Sequence, residues 1–313
     1  MVLLAAFSNP VPDAQQVLEH ARQLSDIRSP NAHAFLLKVS FSFINDDLDT
    51  IQGTYTETWL SSTRWRRETT IGSIRHLEIG GSGKYWISDN SDTFPEQAAR
   101  LSIMLQMFPS RSAPLTFDAT LDRNSSGHAL QCLVARSAGI ALCFDKRTGL
   151  MFGRIFIQSI RSGLVENSCQ YAGFQKFGPY WFPREMACFR ETHRLLQAKV
   201  VELTSEPPAD AALFTPPPGA VELGQCPVAP VEPEAISTPS PRGPSSAADR
   251  APYVRLAIVV DPQGHPQNIR IERSGGKTFD DQAVHTVRNW LFHPGTCNGQ
   301  PIAMEVHADV RFW

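Results

Sequence analysis

The chain has no apolar run near the ~20 residues that a membrane-spanning helix requires. It also lacks a surplus of one charge. Lys and Arg number 29 against 31 Asp and Glu, for a net charge of -2. That near-balance gives no general attraction to nucleic acid or anionic lipid, and no basic arm is present, so nucleic acid is not an expected partner. The six cysteines form no CxxC and no Cys/His cluster at zinc spacing, and His285, His293 and His307 stand too far apart for a local metal motif. Asp46, Asp47 and Asp49 lack the glycine and distal glutamate of a calcium loop. Gly80-Gly81-Ser82-Gly83-Lys84 lacks the first glycine of a phosphate loop, carries Tyr85 where Ser or Thr is needed, and fails the nucleophile-elbow spacing. It reads as a hairpin turn. Asn124-Ser125-Ser126 is a formal glycosylation sequon that reads as a turn. No nucleophile, metal or cofactor pattern remains, so the expectation is a non-enzymatic protein with no catalytic residue, metal or cofactor.

What is present points to two domains in 313 residues. Hydrophobic content of 42% and charged content of 19% are ordinary for a globular chain. Proline is uneven: twelve of the 24 fall between residues 206 and 252. That composition builds no core and predicts an extended, semi-rigid linker over 206–252. It separates an N-terminal domain, 13–205, from a short end domain, 253–313. Residues 1–12 begin with a short apolar run from Val2 to Phe7, expected to be a lead-in or the remnant of an export signal whose start lies upstream.

Six cysteines allow 15 pairings. Sequence proximity favours Cys132 with Cys143 and Cys169 with Cys188, leaving Cys226 for Cys297. Disulfides would require an oxidising compartment. The other reading is reduced, buried thiols that pack as small apolar side chains.

In the end domain, Val254, Leu256, Ile258 and Val260 alternate with their neighbours, which predicts a strand with one strongly apolar face. Asp261-Pro262-Gln263-Gly264 suits a type I turn, and Ile269 and Ile271 mark the returning arm of a hairpin. A helix follows, with Thr278 as its expected N-cap and Asp281 completing a capping box. Ala283, Val284, Val287, Trp290 and Leu291 share its apolar face, and Pro294-Gly295 ends it. The last strand places Ile302, Met304, Val306, Ala308, Val310 and Phe312 on one side. Ala303, Glu305, His307, Asp309 and Arg311 face the other way. The expected product is a small ββαβ unit, a three-stranded sheet with one face under a helix.

This stretch resembles the C-terminal domain of the TonB family of energy transducers. The resemblance is carried by the strand ending in Asp261 and Gly264, the Ile271-Glu272-Arg273-Ser274-Gly275-Gly276 run, Phe279-Asp280, and Val287 to Pro294. Asn298-Gly299-Gln300-Pro301-Ile302 and Val310-Arg311-Phe312 complete it. It implies a periplasmic module that grips an outer-membrane receptor or other envelope protein by strand addition. The partner-binding residues would be those of the edge strand, Glu305, His307, Asp309 and Arg311. A long edge strand without proline in its body suits that role. Two features depart from the family. The proline-tyrosine-proline lead-in and short helix before the first strand look deleted, and no membrane anchor is seen, so a force-transducing role is not expected of the chain as given.

The N-terminal domain opens with an amphipathic helix over Asp13 to Ile27 and continues as many short strands, interrupted by a second helix over Pro95 to Phe108. The second helix is expected to bury Ala99, Ile103, Met104 and Met107. The series predicts a curved antiparallel sheet or open barrel. It resembles the LolA-like half-barrels that carry lipoproteins or other lipidic ligands. The resemblance rests on the leading helix, Gly53-Thr54-Tyr55-Thr56-Glu57, Trp65-Arg66-Arg67-Glu68 and Leu213-Phe214-Thr215-Pro216-Pro217-Pro218. It implies a concave face on which Phe35, Phe41, Trp59 and Trp86 would line a ligand cavity. The alternative from the residues alone is that these aromatics fill the core. The fold class expected for the whole is α+β, a LolA-like half-barrel linked to a TonB-like end domain. The function expected is protein binding in a TonB-linked transport setting, with a periplasmic lipid or lipoprotein carrier as the rival.

Overall fold

The computed structural model describes residues 14–45, 48–81, 83–111, 114–160, 163–241 and 253–312, with backbone only for 157–160 and 163–165. The lead-in at 1–12, Asp46 and Asp47, Ser82, and the segment just before Tyr253 therefore lie outside the described residues.

In chain order the elements are α1 (Ala14–Ser25), β1 (Phe35–Ile44), β2 (Thr50–Ser61), β3 (Arg64–Ile71), β4 (Ile74–Gly81), β5 (Lys84–Asp89), α2 (Glu96–Leu105) and β6 (Ala119–Ser125). Then come β7 (His128–Ala135), β8 (Ile140–Asp145), β9 (Met151–Ile160), β10 (Gly163–Ala172), β11 (Gln175–Phe177), β12 (Tyr180–Phe182), β13 (Glu185–Arg190) and β14 (His193–Thr204). The remainder is β15 (Val221–Gly224), β16 (Glu234–Ser237), β17 (Val254–Val260), β18 (Pro266–Arg273), α3 (Lys277–Val287), β19 (Leu291–His293), β20 (Thr296–Cys297), β21 (Gln300–Pro301) and β22 (Met304–Val310). The protein is mostly antiparallel sheet, as the alternating sequence predicts.

Two compact units emerge. One holds Met1–Ser61, Leu101–Ser110 and Pro114–Pro207; the other holds Ser62–Arg100, Arg111–Ala113 and Pro208–Trp313, so the division falls inside α2. Within the expected linker over 206–252, Val221 to Gly224 find backbone partners on β5 and Glu234 to Ser237 find them on β19, so these two stretches are extended but paired.

In the first unit the strands lie in the order β2-β1-β14-β13-β10-β9-β8-β7-β6. The sheet does not close: among the described residues β6 pairs only with β7. Alternation on β1 buries Phe35, Leu37, Val39, Phe41 and Phe43. Phe35 stands directly opposite Trp59 on β2, and their rings stack at 5.5 Å. Glu57 shares that inward face and is fully buried. It is stabilised by Arg28, whose Nε donates to its carboxylate at 2.9 Å, and by the Tyr55 hydroxyl at 3.1 Å.

The C-terminal end of α2 shows how buried helix carbonyls find partners. The last carbonyls of a helix have no intrahelical donor. Tyr171 donates to Met104 O at 2.9 Å, Arg28 to Leu105 O at 2.7 Å, and Arg154 to Gln106 O and Met107 O at 3.2 and 3.1 Å. Guanidinium groups suit the negative end of a helix dipole. The buried face of α2 is Ala98, Leu101, Met104 and Leu105, whereas Ile103 is exposed. Of the expected Ala99, Ile103, Met104 and Met107, both methionines are buried, while Ala99 is half-buried and Ile103 faces out, so the face is rotated only in part.

Both paired hairpin cysteines sit in this unit. Cys132 and Cys143 face each other across β7 and β8, and Cys169 and Cys188 across β10 and β13. Both pairs are disulfides, as is Cys226–Cys297 in the second unit.

The second unit contains the sheet order β15-β5-β4-β3 and a three-stranded sheet, β18-β17-β22. Strand β17 is central and buried on both faces. Val254, Leu256, Ile258 and Val260 pack with Ala283, Val287, Trp290 and Phe292. On the opposite face Val259 packs with Ile87 of β5 and Leu223 of β15. The run Ala257-Ile258-Val259-Val260 therefore answers two layers, where alternation alone predicts one.

Candidate functional site

The turn into β18 forms as its residues dictate. Gly264 N donates to Asp261 O at 2.9 Å, and the Asp261 carboxylate accepts from the backbone of Gln263 and His265, both at 2.9 Å. Gly264 has φ +87, and a Cβ there would meet Phe292 O at 2.0 Å, so only glycine fits.

Helix α3 departs from expectation. It starts at Lys277 after Gly276, so Thr278 lies inside it and is not its N-cap. The first-turn carboxylate of Asp280 takes over, accepting from Gly275 N at 2.9 Å and from the Ser274 hydroxyl at 2.5 Å. The helix ends at Val287, well before Pro294. Leu291 falls on the short strand β19 and is exposed, while Phe292 is buried. Three short strands, β19 to β21, stand between α3 and β22, where a direct helix-to-strand passage was expected.

The edges of the three-stranded sheet differ. The outer side of β18 is occupied: Ile271 N donates to Asp92 O at 2.7 Å, and Phe94 N donates to Ile271 O at 2.9 Å. On β22, Ala303 O just before the strand accepts from Gly224 N at 3.0 Å. From Met304 to Val310 the strand pairs with β17, and among the described residues no other strand pairs with it.

The side chains of β22 sort by parity. Val306, Ala308, Val310 and Phe312 join the core under α3. Glu305, His307 and Asp309 enter a charged network. Arg270, almost fully buried, lies 3.3 Å from Asp89 and 2.5 Å from Glu305. Arg255 reaches Glu272 at 3.3 Å and Asp309 at 3.2 Å. His307 Nδ1 is 3.0 Å from Glu272, and its Nε2 is 3.9 Å from Glu305. His76 Nδ1 sits 2.6 Å from the far carboxylate, Asp89. The hydrogen bond to Glu272 raises the His307 pKa above the ordinary histidine value, against burial. Burial pushes Glu272 up, but His307 with Arg255 and Arg270 outweighs it and leaves the carboxyl below its usual range. Asp89 follows the same pattern, with His76 first among the groups that lower it. Arg311 is exposed past the end of β22 and makes no ion pair among the described residues.

Of the sequence-read edge residues, the structure brings Glu305, His307 and Asp309 into one network and leaves Arg311 outside it. Sequence reading missed Arg270, Glu272, Arg255 and Asp89. The signal available was the repeated charge at alternate positions on β18, Arg270 and Glu272, beside the same pattern on β22.

Of the four aromatics proposed for a cavity, Phe35 and Trp59 stack on each other. Phe35, Phe41 and Trp59 are buried in the first unit, with Phe41 against Phe43 at 6.3 Å; Trp86 lies on β5 in the second. The first unit has a hollow of about 970 Å³ elsewhere, lined by Ile27, Phe177, Tyr180 and Leu203 with Lys176 and Glu206 at hand. Among the described residues no helix is long and apolar enough to cross a membrane, and no group of three or more His, Cys, Asp or Glu is placed to hold a metal ion.

Residues 246–313 match the family described as the Gram-negative bacterial TonB protein C-terminal. No curated protein matches the chain. Among solved structures, a LolA superfamily protein from Nitrosomonas europaea is similar at 13% identity and TM-score 0.41, covering 65% of this chain and 97% of its own. A DUF1329 family protein from Desulfovibrio piger is similar at 10% identity and TM-score 0.43, covering 64% and 96%.

Proposed function

We propose that this chain is a non-enzymatic cell-envelope protein whose β22 edge takes up an extended segment of a protein partner by strand addition. The setting would be TonB-linked transport in the periplasm, with an outer-membrane receptor or another envelope protein as partner. The match of residues 246–313 to TonB C-termini supports the setting. The observation that carries the reading is the asymmetry of the sheet: one edge is covered by Asp92 to Phe94, and the other is open from Met304 to Val310 among the described residues. An open edge supplies main-chain donors and acceptors in register for a guest. Three disulfides are in keeping with an oxidising compartment.

The test is titration of the full chain with extended receptor-derived peptides, followed by amide chemical shifts. Saturable shifts along Met304 to Val310 are expected. N-methylation at alternate peptide positions should abolish binding in one parity and spare it in the other, since only one parity faces β22. Shifts elsewhere with β22 silent would sink the proposal.

A second reading has its own observation, the hollow of about 970 Å³ in the first unit. It is large enough for an acyl chain, which supports a lipid or lipoprotein carrier. Native mass spectrometry of the purified chain should then show bound lipid; consistently bare protein counts against it.

A further inference from the structure

We infer that the segment taken up by β22 is basic, with Lys or Arg at the positions facing Glu305 and Asp309, and that it binds more tightly when His307 is neutral than when it is charged. This rests on the strand-addition reading and specifies its partner.

Four carboxylates, Asp89, Glu272, Glu305 and Asp309, share two guanidiniums. Each arginine already serves two of them. His76 serves the most interior carboxylate, Asp89, which is 6% exposed. The negative surplus therefore falls at the rim, where Glu305 and Asp309 are 25% and 36% exposed. His307 stands between those two on the strand and is, among the described residues, the further cation that the ion pairs bring to Glu305. It touches Glu272 and Glu305.

A guest strand beside β22 places its own side chains directly opposite Glu305, His307 and Asp309, within reach of a salt bridge. Opposite charges there attract and like charges repel. A protonated His307 neutralises part of the surplus and repels a basic guest; a neutral one restores the surplus. The groups facing His307 are Glu305 and Asp309 on its own strand, Arg255 on β17, and Arg270 and Glu272 on β18. Asp89 and Tyr85 on β5 face the same network, and Glu96 acts on Arg255. Both arginines stay charged across the range in which a histidine titrates. Arg311 lies four residues from His307 along the strand, beyond Asp309, and opposes a basic guest only at its end.

The experiment uses the full, disulfide-bonded chain and three synthetic peptides of one length that alternate valine with lysine, glutamate or serine. Affinities are measured at about pH 5.5 and about pH 8.5, on either side of an ordinary histidine. The lysine peptide should bind about two- to tenfold more tightly than the serine peptide, the glutamate peptide more weakly than either, and added salt should narrow the gap. Lysine-peptide affinity should rise with pH, and His307→Gln should flatten that profile. Equal affinity for all three peptides overturns the charge preference while leaving strand addition intact. A pH profile unchanged in His307→Gln overturns the role of His307. If no peptide binds, or binding leaves β22 amide shifts unmoved, strand addition itself falls.

Discussion

At the scale of single residues, position decides what each side chain can do. Gly264 is held at φ +87 against Phe292 O. Gly264→Ala should lower stability by about 1 kcal/mol or more, because the native conformation is incompatible with a Cβ; a thermal melt reads this. His307 provides a pH handle. Its folded pKa is raised by Glu272, so the stability it contributes is present below the ordinary histidine value and is lost as pH rises through the folded value. A proton titration of its imidazole should show a midpoint above that of a free histidine, and Glu272→Gln should bring it down. An unmoved midpoint in the variant would break the link. These two residues differ in legibility. Asp261-Pro262-Gln263-Gly264 was readable because turn chemistry is local. The His307–Glu272 contact was not, since 35 residues separate the partners.

Among elements, patterns of period two transferred well and helical details less so. β1 buries the residues that alternation picks out, and on β22 the same parity buries Val310 and packs the half-buried Val306 and Ala308 against the core. α2 was rotated in part and α3 was shortened, because tertiary partners decide those faces. Arginines from distant elements hold the end of α2, and β19 claims Phe292 that a longer α3 would have carried. Strand β17 shows what one layer of reasoning leaves out. Its second face is covered by Ile87 and Leu223, and β15 falls in a stretch rich in proline. Ile258, fully buried under α3, should be among the most sensitive core positions. Ile258→Ala is expected to cost about 2–5 kcal/mol in denaturant unfolding. A loss well below about 1 kcal/mol would contradict the packing.

Across the whole molecule, the three cysteine pairs follow the proximity argument, and all six cysteines are bonded. Unfolded, unreduced protein should therefore titrate no free thiol. Composition marked 206–252 as a spacer, but part of that stretch is built into the second unit through β15, β16 and the Trp290 indole, which donates to Pro239 O at 3.1 Å. Composition reports what cannot form a core; it is silent on which backbone groups an existing sheet will recruit. Replacing Cys226 and Cys297 by serine should destabilise this unit by about 2–5 kcal/mol, given the length of chain enclosed, and differential calorimetry on the full chain measures it.

The bond between Cys226 and Cys297 encloses β16, β17, β18, α3 and β19 within one covalent ring. A protease that nicks any peptide inside that ring leaves both fragments on a single molecule. On a denaturing gel such a clipped chain still runs as one linked molecule until a reductant is added, so cleavage here would be missed on a gel run without one.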